Sequence, residues 1–321
     1  MVKSNFKHIS KNNKDSTGFF QRIKNFFTDS NLGLRIFTAL VMFTVAFGVF
    51  SLGYISVCSF AIALAVVMVY EYDRMFIAPL PSDPNIKGRV PTPKSVLYFR
   101  EKFSVDAFVI AGLLFLYCRD FINGFNIFSA LYVFIIYFIV SLFISRANKR
   151  EHWFLESLPP LYIGLGVFSL LISYISYSWI AVLFFFVITI ATDSGAYFVG
   201  TLLRGPKLCP RISPKKTWSG FIGGILSAII FVKLFFFVLP ESLDSSKLIS
   251  YLSSVLTIVI LSILAQLGDL FESHLKRTAG VKDSSQFIPG HGGFLDRFDS
   301  IIFIFDIIAI VGFVYMLHIQ N

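Results

Sequence analysis

Charge is scarce in this sequence. Asp, Glu, Lys and Arg make up 15% of the 321 residues, against about 25% in a typical soluble domain. A soluble globule of this size needs more charge on its surface than that. Cysteine is scarcer still, with Cys58, Cys118 and Cys209 far apart and no CxxC pair. That spacing supports neither a disulfide framework nor a zinc site. Internal repeats and low-complexity tracts are missing as well. What the chain has instead is apolar surface: 55% of it is hydrophobic and 39 residues are Phe. Mean hydropathy is +0.73. These values exclude a soluble globule and a disordered chain, and they imply a polytopic membrane protein with its apolar residues toward lipid. The net charge is +9. In a membrane protein, such an excess marks inner loops and anionic head groups or substrates rather than nucleic acid.

A signal-peptide pattern is also lacking, because residues 1–35 are hydrophilic and carry Lys3, Lys7, Lys11, Lys14, Arg22, Lys24 and Arg35. The expectation is a basic cytosolic tail, part of it a surface helix with Phe19, Phe20, Ile23, Phe26 and Phe27 against lipid. A lipid-sensing segment is the alternative.

A spanning helix needs about 20 apolar residues. Stretches of that kind lie near 36–53, 54–70, 105–118, 126–145, 157–174, 179–200, 221–239, 250–271 and 299–318. The fold class is therefore all-α, with about nine transmembrane helices. With the N-terminus inside, 25 of the 28 Lys and Arg residues fall in inner segments, whereas Arg119 and Lys247 are outside and Lys233 is within a helix. This bias is the positive-inside pattern, and it places the C-terminus outside. The Pro-rich segment 71–104 reads as irregular. Three regions follow: a tail over 1–35, N-terminal helices over 36–177 and a chemically richer part over 178–321. Before residue 178 no interior acid reads as functional.

After it, acids and bases gather at helix ends. Asp269, Glu272, Ser273 and Lys276 recur at i, i+3, i+4 and i+7, which is one helical face. A cation ligand and a phosphate-binding ammonium would point the same way. Standing alone, such a stripe is more often ion-paired within itself at the membrane interface. It leads, however, into Arg277, Lys282, Asp283 and the run Ile288-Pro289-Gly290-His291-Gly292-Gly293-Phe294-Leu295-Asp296-Arg297-Phe298-Asp299. Gly292 and Gly293 let backbone approach a ligand closely. The bases and His291 offer donors for phosphate, and the acids offer the hard oxygens that Mg²⁺ takes together with phosphate. His274 and His291 have no Cys or nearby His partner, so a zinc reading is weak.

A second cluster precedes it. Asp193 and Tyr197 share a face, and Ser213, Lys215, Lys216 and Thr217 precede a helix start that favours anions. For the lysines alone, an ordinary basic inner loop is an equal reading. Asp193, near the end of an apolar helix, tips the balance toward function. Asp306 lies within the last apolar stretch. It either extends a polar cavity inward or packs helices together as a protonated or paired acid.

The run from Ser273 through Lys276-Arg277, Lys282-Asp283 and His291-Gly292-Gly293 to Asp296-Arg297-Phe298-Asp299 resembles the signature of the phosphatidate cytidylyltransferases, or CDP-diacylglycerol synthases. Asp193 to Tyr197 and Ser213 to Thr217 are similar to further blocks of that family. The likeness covers roughly residues 178–318, and a motif of this length is specific. One departure is Ser219, where the family often has Glu, so this chain has no acid at that position.

The resemblance implies transfer of the cytidylyl group of CTP to phosphatidate with Mg²⁺. It implies metal ligation by Asp269 and Asp296, with Asp299 and Asp193 nearby as ligands or orienters. Lys276, Arg277, Lys282 and Arg297 would hold phosphates, Lys215 and Lys216 would close from the other loop, and His291 would donate to the leaving pyrophosphate. Asp283, Ser213, Thr217, Tyr197 and Ser273 complete the implied site. A bacterial inner membrane and an organelle membrane both stay open, the compact length of 321 residues favouring the bacterial case, and a homodimer is allowed. The competing readings are a CTP-dependent polyprenol or lipid kinase, an ion-coupled transporter and a non-catalytic scaffold.

Overall fold

The computed structural model describes residues 41, 44–45, 48–77, 93–120, 127–177, 179–238, 252–288 and 292–320. The tail over 1–35, half of the stretch 36–53 and His291 lie outside the described residues.

The described chain is built of helices. They are α1 (Tyr54–Ile77), α2 (Pro93–Asp120), α3 (Ile127–Ala147), α4 (Gly166–Tyr177), α5 (Trp179–Leu203), α6 (Trp218–Val238), α7 (Val255–Ala279) and α8 (Leu295–Gln320). A 3₁₀ turn at Leu155–Ser157 and a π-helical turn at Pro160–Leu165 lead into α4. Among the described residues, six helices are long and apolar enough to cross a membrane: Tyr54–Ile77, Leu155–Tyr177, Trp179–Leu203, Trp218–Val238, Val255–Ala279 and Leu295–Tyr315. Leu131–Ala147 within α3 is a shorter apolar helix. The protein is a polytopic, predominantly helical membrane protein.

Three expectations need correction. The segment 71–104 is not irregular throughout, because α1 continues to Ile77 and α2 starts at Pro93. Proline suits a first helical position, where its missing N–H has no partner to lose. Lys94, Arg100, Glu101 and Lys102 lower the local hydropathy without breaking the helix, so the stretch 105–118 is only the apolar part of a 28-residue helix. The segment after α5 is not a plain loop either. There β1 (Lys207–Cys209) pairs antiparallel with β2 (Ser213–Thr217), in a register that sets Lys207 opposite Thr217. The third correction concerns buried acids: Glu71, Asp73, Asp106 and Glu156, all before residue 178, are at most 2% exposed.

Two apolar cores meet on α8. One joins α1, α2 and α4 through residues such as Met68, Tyr72, Leu114 and Phe168, and includes Ile302 of α8. The other joins α5, α6 and α7 through Phe184, Val232 and Leu261, and includes Ile301, Ile304 and Phe305. Small residues bring α5 and α6 into close contact. A Cβ on Gly223 would stand 2.4 Å from Val199, and one on Gly220 would stand 2.7 Å from the Ala196 carbonyl. At Gly166 of α4, a Cβ would stand 3.0 Å from Oδ1 of the buried Asp306. Asp306 thus sits at the packing surface of α4 and α8.

The buried acids of α1 and α2 form a charged knot. Lys102 pairs with Asp106, lies 3.6 Å from Asp73, and all three side chains are nearly inaccessible. Tyr137 donates its hydroxyl proton to Asp106. Removing one member of such a group leaves buried charge without compensation. Lys102→Met is expected to destabilise the protein by about 3–5 kcal/mol. In detergent, that should lower the unfolding midpoint by roughly 10 °C. An unchanged thermal melt would show that the knot contributes nothing.

Candidate active site

Helix α7 carries the acids and bases of the site to its C-terminal end, and its boundaries are chemically marked. The Ser254 hydroxyl accepts from the Thr257 N–H at 3.2 Å, capping the start. Gly280, at φ 74°, takes the left-handed position after the last turn, where a side chain would be strained. Lys276 and Arg277 occupy that last turn, where the exposed carbonyls favour cations.

The expected one-sided stripe divides between two sets of partners. Toward β2, Asp269 pairs with Lys216 at 2.7 Å. Asp269 also accepts from the Ser273 hydroxyl at 3.3 Å. The Lys216 ammonium reaches the Gln266 carbonyl as well, at 3.3 Å. Toward α8, Lys276 pairs with the fully buried Glu272 and lies 2.7 Å from Asp296. Asp193 of α5 feels the charges of Asp269, Lys216 and Arg297. Asp299 of α8, 7% exposed, feels those of Asp269, Asp193 and Lys276. Four elements that are distant in sequence therefore bring acids and bases to one place.

Between α7 and α8 the chain folds into a compact loop. Ile288 and Gly292 exchange backbone hydrogen bonds of 2.8 and 3.1 Å. Asp296, in the first turn of α8, gathers the loop. Its oxygens accept from the Ser284 N–H at 3.0 Å, the Ser284 hydroxyl at 3.0 Å and the Gly293 N–H at 2.8 Å, besides Lys276. The absent side chains of the two glycines make room for acids. A Cβ on Gly292 would stand 2.6 Å from Asp296, and one on Gly293 would stand 2.7 Å from Glu71 and 2.0 Å from the Ser284 hydroxyl. Gly292 also has φ 83°, which glycine tolerates best.

Sequence reasoning missed Glu71. Its carboxylate accepts from the Phe294 N–H at 3.0 Å and the Leu295 N–H at 2.7 Å, and from the hydroxyls of Ser284 and Ser285. The available signal was an acid just past the apolar stretch 54–70, and nothing local names its partners.

Lys215, Lys282 and Arg297 are exposed, as are Asp193 and Tyr197. The Arg277 guanidinium donates to the Val281 carbonyl at 2.9 Å. Thr217 accepts from the Gly220 N–H at 3.1 Å and thereby starts α6. Ser213 begins β2, and Asp283 lies half-buried in the loop. Ser219, at the position of the family's frequent Glu, donates its hydroxyl to the Arg204 carbonyl and lies 3.1 Å from the Thr217 hydroxyl. Among the described residues, no three His, Cys, Asp or Glu side chains form a ready metal cage.

The sequence profile of the cytidylyltransferase family matches residues 33–315, nearly the whole chain. The chain belongs to the cytidylyltransferase family. Relatives named phosphatidate cytidylyltransferase are similar to this cytidylyltransferase-family chain over much of their length. The one from Staphylococcus haemolyticus is 31% identical over 87% of this chain and 98% of its own. That from Brucella suis is 30% identical over 85% and 90%, and that from Rickettsia felis 37% over 52% and 77%. The matched region includes the signature loop, the β-hairpin and α1, which carries Glu71.

Proposed function

We propose that this membrane protein transfers the cytidylyl group of CTP to phosphatidate, giving CDP-diacylglycerol and pyrophosphate. One observation carries the reading: Asp269 and Lys216 pair at 2.7 Å, with Asp193, Asp299 and Arg297 within electrostatic range. The chain's membership of the family and the shared name of its relatives support the same activity.

The chemistry suits such a site. An oxygen of the lipid phosphate attacks the α-phosphorus of CTP, and the bond from that phosphorus to the oxygen of the β-phosphate breaks. The attacking oxygen is already ionised at neutral pH, so no protein nucleophile is needed. The protein must hold two polyanions in line and offset their charge. Lys215, Lys216, Lys282 and Arg297 would bind phosphate oxygens, and Lys276 would hold Asp296 while adding positive charge. Arg277 extends the basic rim, and His291 would donate to the leaving pyrophosphate.

A hard divalent cation fits the donor set. Mg²⁺ takes one or two carboxylates and completes its shell with water and substrate phosphates, so a three-acid cage is not required. Asp269, Asp193 and Asp299 would hold it, and Asp296, whose oxygens already accept from the protein, would stand beside them. Bound there, the ion would neutralise charge on the triphosphate. The bias of basic residues supports a topology with the N-terminus and this site on the cytosolic side, nine spans and an outer C-terminus. The bacterial relatives support a bacterial inner membrane.

Labelled CTP tests the reaction. Given CTP labelled at the α-phosphate, purified protein is expected to place label in the lipid product and to release pyrophosphate one for one. Label entering lipid from the γ-phosphate would overturn the reading in favour of a CTP-dependent kinase. Ion flux in proteoliposomes without CTP, with no labelled lipid, would favour the transporter.

A further inference from the structure

We infer that Glu71 is a positioning residue for the reaction, acting from α1 through the signature loop; this rests on the functional reading above. The carboxylate is fully buried, and its donors are two hydroxyls and two backbone N–H groups from residues 284–295, more than 200 positions away. A buried carboxylate is costly unless its lone pairs are occupied. Glu71 therefore favours the loop conformation that supplies all four donors. Two of these donors, the N–H groups of Phe294 and Leu295, lie at the start of α8. That helix carries Asp296, Arg297 and Asp299 in its first turns. Fixing its first N–H groups fixes where those side chains stand relative to Asp269 on α7.

Two further observations point the same way. Ser284 lies between both acids, its hydroxyl 3.3 Å from Glu71 and 3.0 Å from Asp296, so that its single proton is shared between them. The loop is thus folded around two carboxylates, one from each half of the chain. Gly293 is compatible with this arrangement because a Cβ there would press on both oxygens of Glu71, at 2.7 and 2.8 Å.

Glu71→Gln is the informative variant, because it keeps the shape of the side chain. An amide has one accepting oxygen and one NH₂ group. One oxygen of Glu71 serves Ser285 and Phe294, and the other serves Ser284 and Leu295. Whichever way the amide turns, one backbone N–H, that of Phe294 or that of Leu295, faces a donor. In detergent with CTP and phosphatidate, kcat is expected to fall about 10- to 100-fold, with KM for CTP little changed. Hydrogen exchange should accelerate over 284–295 and stay as in the wild type elsewhere. Ser285→Ala should give a milder form of both effects. The double variant should be no worse than Glu71→Gln alone, since the two act through one contact.

Wild-type kcat in Glu71→Gln would overturn the inference. So would a loss of kcat with unchanged exchange over 284–295, or unfolding of the whole protein in both single variants. If the wild type forms no CDP-diacylglycerol, the functional reading fails, and exchange over 284–295 alone decides whether Glu71 holds the loop.

Discussion

Asp296→Asn is expected to lower turnover by roughly 100- to 1,000-fold while the protein still inserts and purifies normally. The reason is the number of donors that one carboxylate serves. Its oxygens accept from the Lys276 ammonium at 2.7 Å, from the Ser284 N–H and hydroxyl at 3.0 Å each and from the Gly293 N–H at 2.8 Å. If the Asn NH₂ faces Lys276, it meets a cation; if it turns the other way, it confronts the N–H groups of the loop. Hydrogen bonds to charged groups contribute about 1.5–3 kcal/mol each. Losing them frees the loop at the point where α8 begins, whereas the apolar contacts of α8 with both cores remain. Rates of CDP-diacylglycerol formation and gel filtration in detergent check the two halves of this expectation. Added Mg²⁺ should not restore the rate, because protein donors occupy these oxygens. Restoration by Mg²⁺ would instead make Asp296 a direct metal ligand.

The C-terminal part of this site was legible because charge is so scarce elsewhere. In a chain with 15% charged residues, the acids and bases between Asp269 and Asp299 stand out against apolar sequence. Their types already suggest phosphate and a hard cation. The division of labour within the group was not legible. The stripe Asp269, Glu272, Ser273 and Lys276 spans an arc of about 100° around a helix. Its two edges meet different neighbours: Asp269 faces Lys216, while Glu272 and Lys276 face Asp296. Spacing along one helix carries no information about which element packs on each edge.

The same limit hid the polar groups of the N-terminal half. Glu71 and Asp73 follow an apolar stretch and fall at the start of the segment 71–104, which reads as irregular. Their partners, the 284–295 loop and Lys102, are set by how α1 packs. Helix α2 was half visible, since hydropathy detects its apolar part and passes over the charged first turns from Pro93 to Lys102. The β-hairpin was invisible for another reason. Strands of three and five residues, with Pro214, Lys215 and Lys216 in one of them, show no apolar alternation to mark a strand. Long apolar helices announce themselves one by one. Polar sites between them depend on packing partners remote in sequence.

Asp269→Asn is expected to reduce turnover by about 1,000-fold, the largest effect among these variants. Asp269 differs from Asp296 in having room beside it. Its side chain is 33% exposed, and its partners are Lys216 and the Ser273 hydroxyl. It also lies within electrostatic range of Asp193 and Asp299. Loss of its charge removes an acid open to a bound cation and leaves the Lys216 ammonium without its carboxylate. Folding should be little affected, because the pair is partly open to solvent and solvent-screened ion pairs contribute little to stability. The conservative change Asp269→Glu separates the two contributions. A misplaced but intact carboxylate weakens metal binding, and mass action at higher Mg²⁺ should recover part of the rate. Lys282→Ala, which removes an exposed ammonium from the phosphate-binding set, should not respond to Mg²⁺ at any concentration. Titrating Mg²⁺ against both variants in the lipid-labelling assay gives the comparison. Equal rescue of the two would show that the added ion screens charge in general rather than occupying a site on Asp269.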